Sequence, residues 1–140
     1  IIMIQKFHQL EIKTKGRKLY NFTSSVQQWI KNEDFNKGIL NINILHTSAS
    51  IIVQENADSD VQKDILNFFD RLVPMDNSYI HKMEGKDDMP AHLKTILTST
   101  HLCLSIKNSN LVLGTWQGLF LFEHRIEKHQ RKINLHYIGD

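Results

Sequence analysis

The stretch 115–125 has no polar face. Trp116, Phe120, Phe122 and His124 share one strand parity, while Leu119 and Leu121 fill the other beside Gln117, Glu123 and Arg125. A strand apolar on both sides is central in a sheet or pinned at a subunit contact. Glycines at 114 and 118 permit a bend or a close backbone approach near its start. Trp116, Leu119 and Leu121 are accordingly expected in the core or at a subunit contact. The chain has 140 residues, enough for one domain with a substantial core and too few for two.

The rest of the chain alternates strand and helix patterns, with no repeats or linkers. Ile2, Ile4, Leu10 and Ile12 share parity in an imperfect first strand behind the apolar start Ile1-Ile2-Met3-Ile4, and Leu19 to Phe22 reads as a short second one. Thr23 or Ser24 can cap a helix with Val26, Trp29 and Ile30 on one stripe. Leu40, Ile42 and Ile44 alternate with Asn41 and Asn43, and Ser50 to Gln54 is a β-branched run. Asp58 or Ser59 opens a helix with Val61, Ile65, Phe68 or Phe69, and Leu72, ended by Pro74. After a polar loop over 76–88, Pro90 marks the first turn of a third helix, with Leu93, Ile96 and Leu97 as its expected buried stripe. Strands follow over 102–106, 111–113, 115–125 and 133–138. The order ββαββααββββ predicts a single α+β domain over 1–140, mainly antiparallel sheets in a sandwich-like core with three helices.

Composition narrows the function. Seventeen basic residues against fifteen acidic ones give a net charge of +2, without the dense basic stripe of a nucleic-acid binder. No apolar run approaches the length that spans a bilayer, so no membrane partner and a cytoplasmic location are expected. The lone Cys103, between Leu102 and Leu104, reads as a buried, inert thiol in a reducing compartment. Eight histidines are an excess, and histidine is the commonest metal ligand.

Three clusters can carry chemistry. His46 ends the apolar row of Leu40, Ile42 and Ile44, beside the hydroxyls of Thr47, Ser48 and Ser50; it is either a satisfied core residue or a ligand or base on a pocket floor. His92 falls in a first helical turn, next to Asp87 and Asp88, where a neutral ring beside carboxylates suits metal binding or proton transfer. Glu123, His124 and Arg125 end the apolar strand, where they can orient one another or hold a phosphate.

At these residues the sequence resembles the YjbQ-like family of small proteins, sometimes described as secondary thiamine-phosphate synthases. The matching blocks are His46-Thr47-Ser48-Ala49-Ser50, Glu55-Asn56 with Asp58, His81 with Glu84-Gly85, Asp87 through His92, Gly114 through Gly118, and Glu123-His124-Arg125. Gln54 departs from the family pattern, which has Asn before Glu-Asn. The resemblance implies a homotrimer with a pocket lined by these blocks. It sorts His46, His81, His92 and His124 from His8, His101, His129 and His136, which then serve as surface or packing residues.

Three functions are compatible with this reading. The first is a transferase resembling thiamine-phosphate synthase, acting on a phosphate-bearing metabolite. Its expected catalytic groups are His46, Asp87, Asp88, His92, Glu123 and Arg125; Thr47, Ser48, Asn56, Thr115 and Gln117 would bind substrate. The second is a hydrolase with a zinc or other transition-metal site on His46, His92 and His124 and with Glu123 or an aspartate as base, whereas a hard metal such as magnesium would sit on Asp87 and Asp88 in the transferase. The third is a non-catalytic trimer that binds an anionic metabolite. Whether the chain is an enzyme stays open at this level.

Overall fold

A computed structural model describes residues 2–76 and 78–140. Ile1, at the head of the apolar start, and Asn77, in the expected polar loop, lie outside the described residues. The elements are β1 (Ile4–Thr14), β2 (Leu19–Asn21), α1 (Thr23–Asn32), β3 (Gly38–Ile44), β4 (Ala49–Glu55), α2 (Ser59–Leu72), α3 (Asp88–Leu97), β5 (His101–Lys107), β6 (Asn110–Leu111), β7 (Gln117–Glu123) and β8 (His129–Gly139). Their order is the one the sequence pattern predicts. All strand pairs are antiparallel, in a five-stranded sheet β1-β8-β3-β5-β6 and a three-stranded sheet β2-β7-β4.

The doubly apolar segment is β7, central in the smaller sheet. Its Leu119 and Leu121 face the larger sheet and join Leu40, Ile42, Ile133, Leu135 and α1's Ile30 in the main core. Phe120 and Phe122 face the other way, where they form a second cluster with Leu19 against Ile65, Leu66 and Phe69 of α2. Each such side chain taken fully from water stabilises the fold by about 1.5–3 kcal/mol. The cover needed on both faces is therefore a second sheet on one side and a helix on the other.

Three expectations are corrected. Trp116 lies in the turn before β7 and is 62% exposed, which overturns its place in the core but not a subunit contact. Cys103 is exposed, because the inward parity of β5 belongs to Leu102, Leu104 and Ile106. The third concerns α3, which buries Asp88, Pro90, Ala91, Lys94 and Thr95 and turns Ile96 and Leu97 outward. Its polar inward face is satisfied partly by another helix and partly by its own backbone. Lys94 Nζ donates to Asp70 of α2 at 2.8 Å, and Thr95 Oγ1 donates to the Ala91 carbonyl at 2.9 Å. No described helix is long and apolar enough to cross a membrane.

Candidate metal centre

Helix α3 starts the site. Asp88 and His92 are four residues apart, so both project from one helix face. The Asp88 carboxylate is 1% exposed, and its two oxygens look in different directions. Oδ1 accepts from Arg125 Nη1 at 2.5 Å. Oδ2 meets His81 Nε2 at 2.6 Å and His92 Nε2 at 3.2 Å. His81 arrives from the loop before α3, which turns back at Gly85 with φ +111°, a conformation glycine adopts without a Cβ penalty. The ligand atoms of His81, Asp88 and His92 lie within 4.8 Å of one another.

The His92 hydrogen bonds settle its tautomer. Nδ1 lies 2.9 Å from the Thr47 carbonyl oxygen, which can only accept, so Nδ1 carries the proton. In the neutral ring the Nε2 lone pair then faces the Asp88 carboxylate, acceptor against acceptor. A cation between them, proton or metal, resolves that contact. A ring N–H held by a backbone carbonyl is also the usual outer support of a metal-ligating histidine.

Arg125 builds the wall behind these side chains. Nε donates to Asp87 Oδ2 at 3.1 Å, Nη1 to Asp88, and Nη2 to the Glu84 carbonyl at 2.7 Å. Asp87 Oδ2 also accepts from the Ile126 backbone N–H at 2.8 Å. Arg125 and Asp87 are thus positioning residues for Asp88. Burial pushes the Asp88 pKa up, but the His81 and Glu84 hydrogen bonds and the Arg125 charge outweigh it and hold the carboxyl below the usual carboxylate range.

The ligand trio expected from sequence, His46, His92 and His124, does not converge; of the three, only His92 joins the cluster. His124 is 2% exposed, with Nε2 2.9 Å from Ser50 Oγ, and burial pushes its pKa down to about 3. His46 shares a cleft with His92, Thr47, Thr95, Ile96 and Thr100, where its Nε2 accepts the Lys132 backbone N–H at 2.8 Å. Burial, and then the nearby Arg131 charge, lower its pKa.

Other expected site residues are spent or remote. Glu123 is fully buried: Oε1 accepts from Thr14 Oγ1 and Arg131 Nε, and Oε2 from Arg131 Nη2 and the Arg125 backbone N–H. It is a sheet-to-sheet ion-pair partner, with neither oxygen open to a substrate. Ser48 gives its carbonyl to Arg131 Nη2 at 3.2 Å. Thr115 is exposed in the turn ahead of β7, whose first residue, Gln117, pairs with Glu55 while Glu123 pairs with Ala49. Asn56 Nδ2 donates to the Gln117 carbonyl at that same end. Gln117 is six residue steps from Glu123 along the strand, roughly 20 Å. Asn56, Thr115 and Gln117 therefore stand at the far end of the sheet from Glu123. Gln54 is exposed, and its Oε1 accepts the Glu55 backbone N–H.

The family resemblance puts His81 and Glu84 among the pocket-lining blocks but gives neither a ligand nor a catalytic role. The Asp88/His92 spacing is a helical signal, but His81 comes from an aperiodic loop whose path only the fold reveals. Glu84 Oε2 lies 3.9 Å from His81 Nε2. Beyond His81 opens a cavity of about 370 Å³, with Tyr79, Lys82 and Lys86 among its walls.

Comparison with known proteins shows the family and the fold. The family model for UPF0047 protein YjbQ-like sequences matches residues 8–140. The chain belongs to the YjbQ-like UPF0047 family. A UPF0047 protein of Synechocystis is 47% identical over 132 residues, covering 94% of this chain and 90% of its own. The YjbQ protein of Escherichia coli O157:H7 is 38% identical over 125 residues, covering 89% and 91%. A crystal structure of a YjbQ/UPF0047 protein from Clostridium acetobutylicum superposes with a TM-score of 0.84 at 31% identity, covering 91% of this chain and 97% of that one. A YbjQ-like protein of Sulfolobus solfataricus, described as of unknown function, reaches 0.90 at 23% identity over 99% and 100%, which shows a common fold. These relatives carry family names and no stated reaction.

Proposed function

We propose that the chain is a metal-dependent hydrolase of a phosphate-bearing metabolite, with the metal held by His81, Asp88 and His92. The carrying observation is the His92–Asp88 contact, in which the one accepting nitrogen of the neutral His92 ring faces a carboxylate. Two imidazoles and one carboxylate favour zinc or a similar transition metal over magnesium, which prefers oxygen ligands. Such a metal supplies Lewis acidity and activates water at neutral pH. Glu84, beside His81, is placed to take a proton, and Lys82 and Lys86 give the adjoining cavity the charge to hold an anionic group.

The transferase reading relies on Arg125 to bind the phosphate. All three guanidinium nitrogens of Arg125 are already engaged, so that reading has weaker support. Pyrophosphate release that requires both thiamine precursors would restore it. The outward apolar residues of α3, together with Phe68 and Leu72 of α2, both more than half exposed, support the homotrimer as part of the same proposal; a monomer by sedimentation velocity would remove it.

Metal analysis tests the central reading. Zinc-reconstituted protein should hold one equivalent per chain, and His92→Ala or Asp88→Asn should lose it together with hydrolysis of p-nitrophenyl phosphate. A chain that binds no zinc at micromolar concentration, or an unchanged stoichiometry in both variants, sinks the proposal.

A further inference from the structure

The cleft beside His46 touches the metal centre from the other side. Its walls are His46, Thr47, His92, Thr95, Ile96 and Thr100, and it encloses about 330 Å³. His92 is common to this cleft and to the ligand cluster. A substrate whose reacting group sits at His92 therefore has space here for its remaining part.

His46 gives that space a chemical character. Its Nε2 accepts from the Lys132 backbone N–H, and a backbone N–H can only donate, so in the neutral ring the proton sits on Nδ1. Among the described residues Nδ1 has no hydrogen-bond partner within the chain. Thr95, the neighbouring hydroxyl of α3, is already used on the Ala91 carbonyl, so it presents its methyl group as readily as its oxygen. The cleft is thus largely apolar, with the tautomer-locked His46 ring among its walls. A site of this kind rejects an analogue lacking the matching acceptor, because the donor is then left unpaired.

We propose that this cleft holds the organic half of the substrate and that His46 Nδ1–H reads a carbonyl oxygen or ring nitrogen on it. The assignment rests on the metal-centre reading for the position of the reacting group. His46 is then a specificity-determining residue, which neither ligates the metal nor acts as a base.

Two phosphate monoesters of equal shape test it. Pyridin-3-yl phosphate carries a ring nitrogen that phenyl phosphate lacks. Measured from initial rates as competitors of p-nitrophenyl phosphate hydrolysis by the zinc-loaded full chain, the pyridyl ester should bind about 3–10-fold more tightly, the worth of one net hydrogen bond. His46→Gln places an amide oxygen where Nε2 accepts from Lys132 and removes the Nδ1 donor. It should bring the two affinities within twofold while zinc stoichiometry and inorganic phosphate binding stay unchanged. Thr100→Trp, which fills the cleft from an exposed position, should weaken both esters at least fivefold and spare inorganic phosphate. Equal affinities in the parent protein, a pyridyl preference that survives His46→Gln, or ester binding indifferent to Thr100→Trp overturns the assignment. Zinc bound at one equivalent without a pyridyl preference rejects the His46 role alone; absence of zinc binding rejects both readings.

Discussion

His124 shows how one buried ring couples stability to acidity. It packs 4.3 Å from the Phe122 ring, and its Nε2 bonds Ser50 Oγ. Burial lowers its pKa to about 3, with the charges of Lys94, Arg131 and Arg17 acting in the same direction. The unfolded chain binds the His124 proton below its ordinary pKa of 6.5, whereas the folded chain does not. Its stabilising contribution is therefore complete above pH 6.5 and declines as the pH falls from 6.5 towards 3, by up to about 3 kcal/mol near pH 4.5. His46 is lowered too and acts with the same sign. Melting temperatures should fall between pH 7 and 4.5, and more shallowly in His124→Gln, whose amide can still reach Ser50 but has no proton to gain. A slope unchanged by that substitution would show that the acid sensitivity lies elsewhere.

At the scale of elements, α2 and β7 differ in how they are held. All of β7 from Gly118 to Glu123 is buried, whereas no residue of α2 is fully buried. The helix lies over the Phe120–Phe122 face through Ile65, Leu66 and Phe69, so its ends carry much of its definition. Asp58 caps the N-terminus by accepting from the Asp60 N–H at 2.9 Å, and Glu55 Oε2 receives the Ala57 and Asp58 N–H groups in the turn before it. Asp58→Ala should cost about 1 kcal/mol. Native-state hydrogen exchange should find α2 amides opening well before those of β7, with the gap widened in the variant. Equal protection in the two elements would contradict this division. Helix α3 adds a second lesson. Its apolar residues Leu93, Ile96 and Leu97 predicted the inward face, yet Ile96 and Leu97 point out, because Arg125, Asp70 and the two histidines give its polar residues better partners inside than water does outside.

Across the whole molecule, one buried ion pair ties the two sheets at the end near the site. Arg131 of β8 meets Glu123 of β7 with both residues at most 2% exposed, and Arg131 also holds the Ser48 carbonyl next to Thr47. Burial pushes the Glu123 pKa up, but the Arg131 and Thr14 hydrogen bonds and the Arg131 charge hold it below its usual value. Removing one partner leaves the other charge buried and unpaired, so Glu123→Gln should destabilise by about 3 kcal/mol, seen as a lower urea midpoint. The Thr47 carbonyl orients His92, so the same variant should also weaken zinc binding; full stability would reassign the pair to the surface. The amino-acid sequence by itself determined the element order and the two-sided cover of β7, because strand parity and helix spacing are local patterns that burial acts on directly. Asp88 and His92 were legible together for the same reason, one helical turn apart. The family resemblance set His46, His81 and His124 apart alike, and only the tertiary structure decided that His81 is the one that completes the Asp88–His92 cluster. That choice depends on where an aperiodic loop returns and on which distant cations claim Asp87, Asp88 and Glu123, and no local pattern along the chain encodes either.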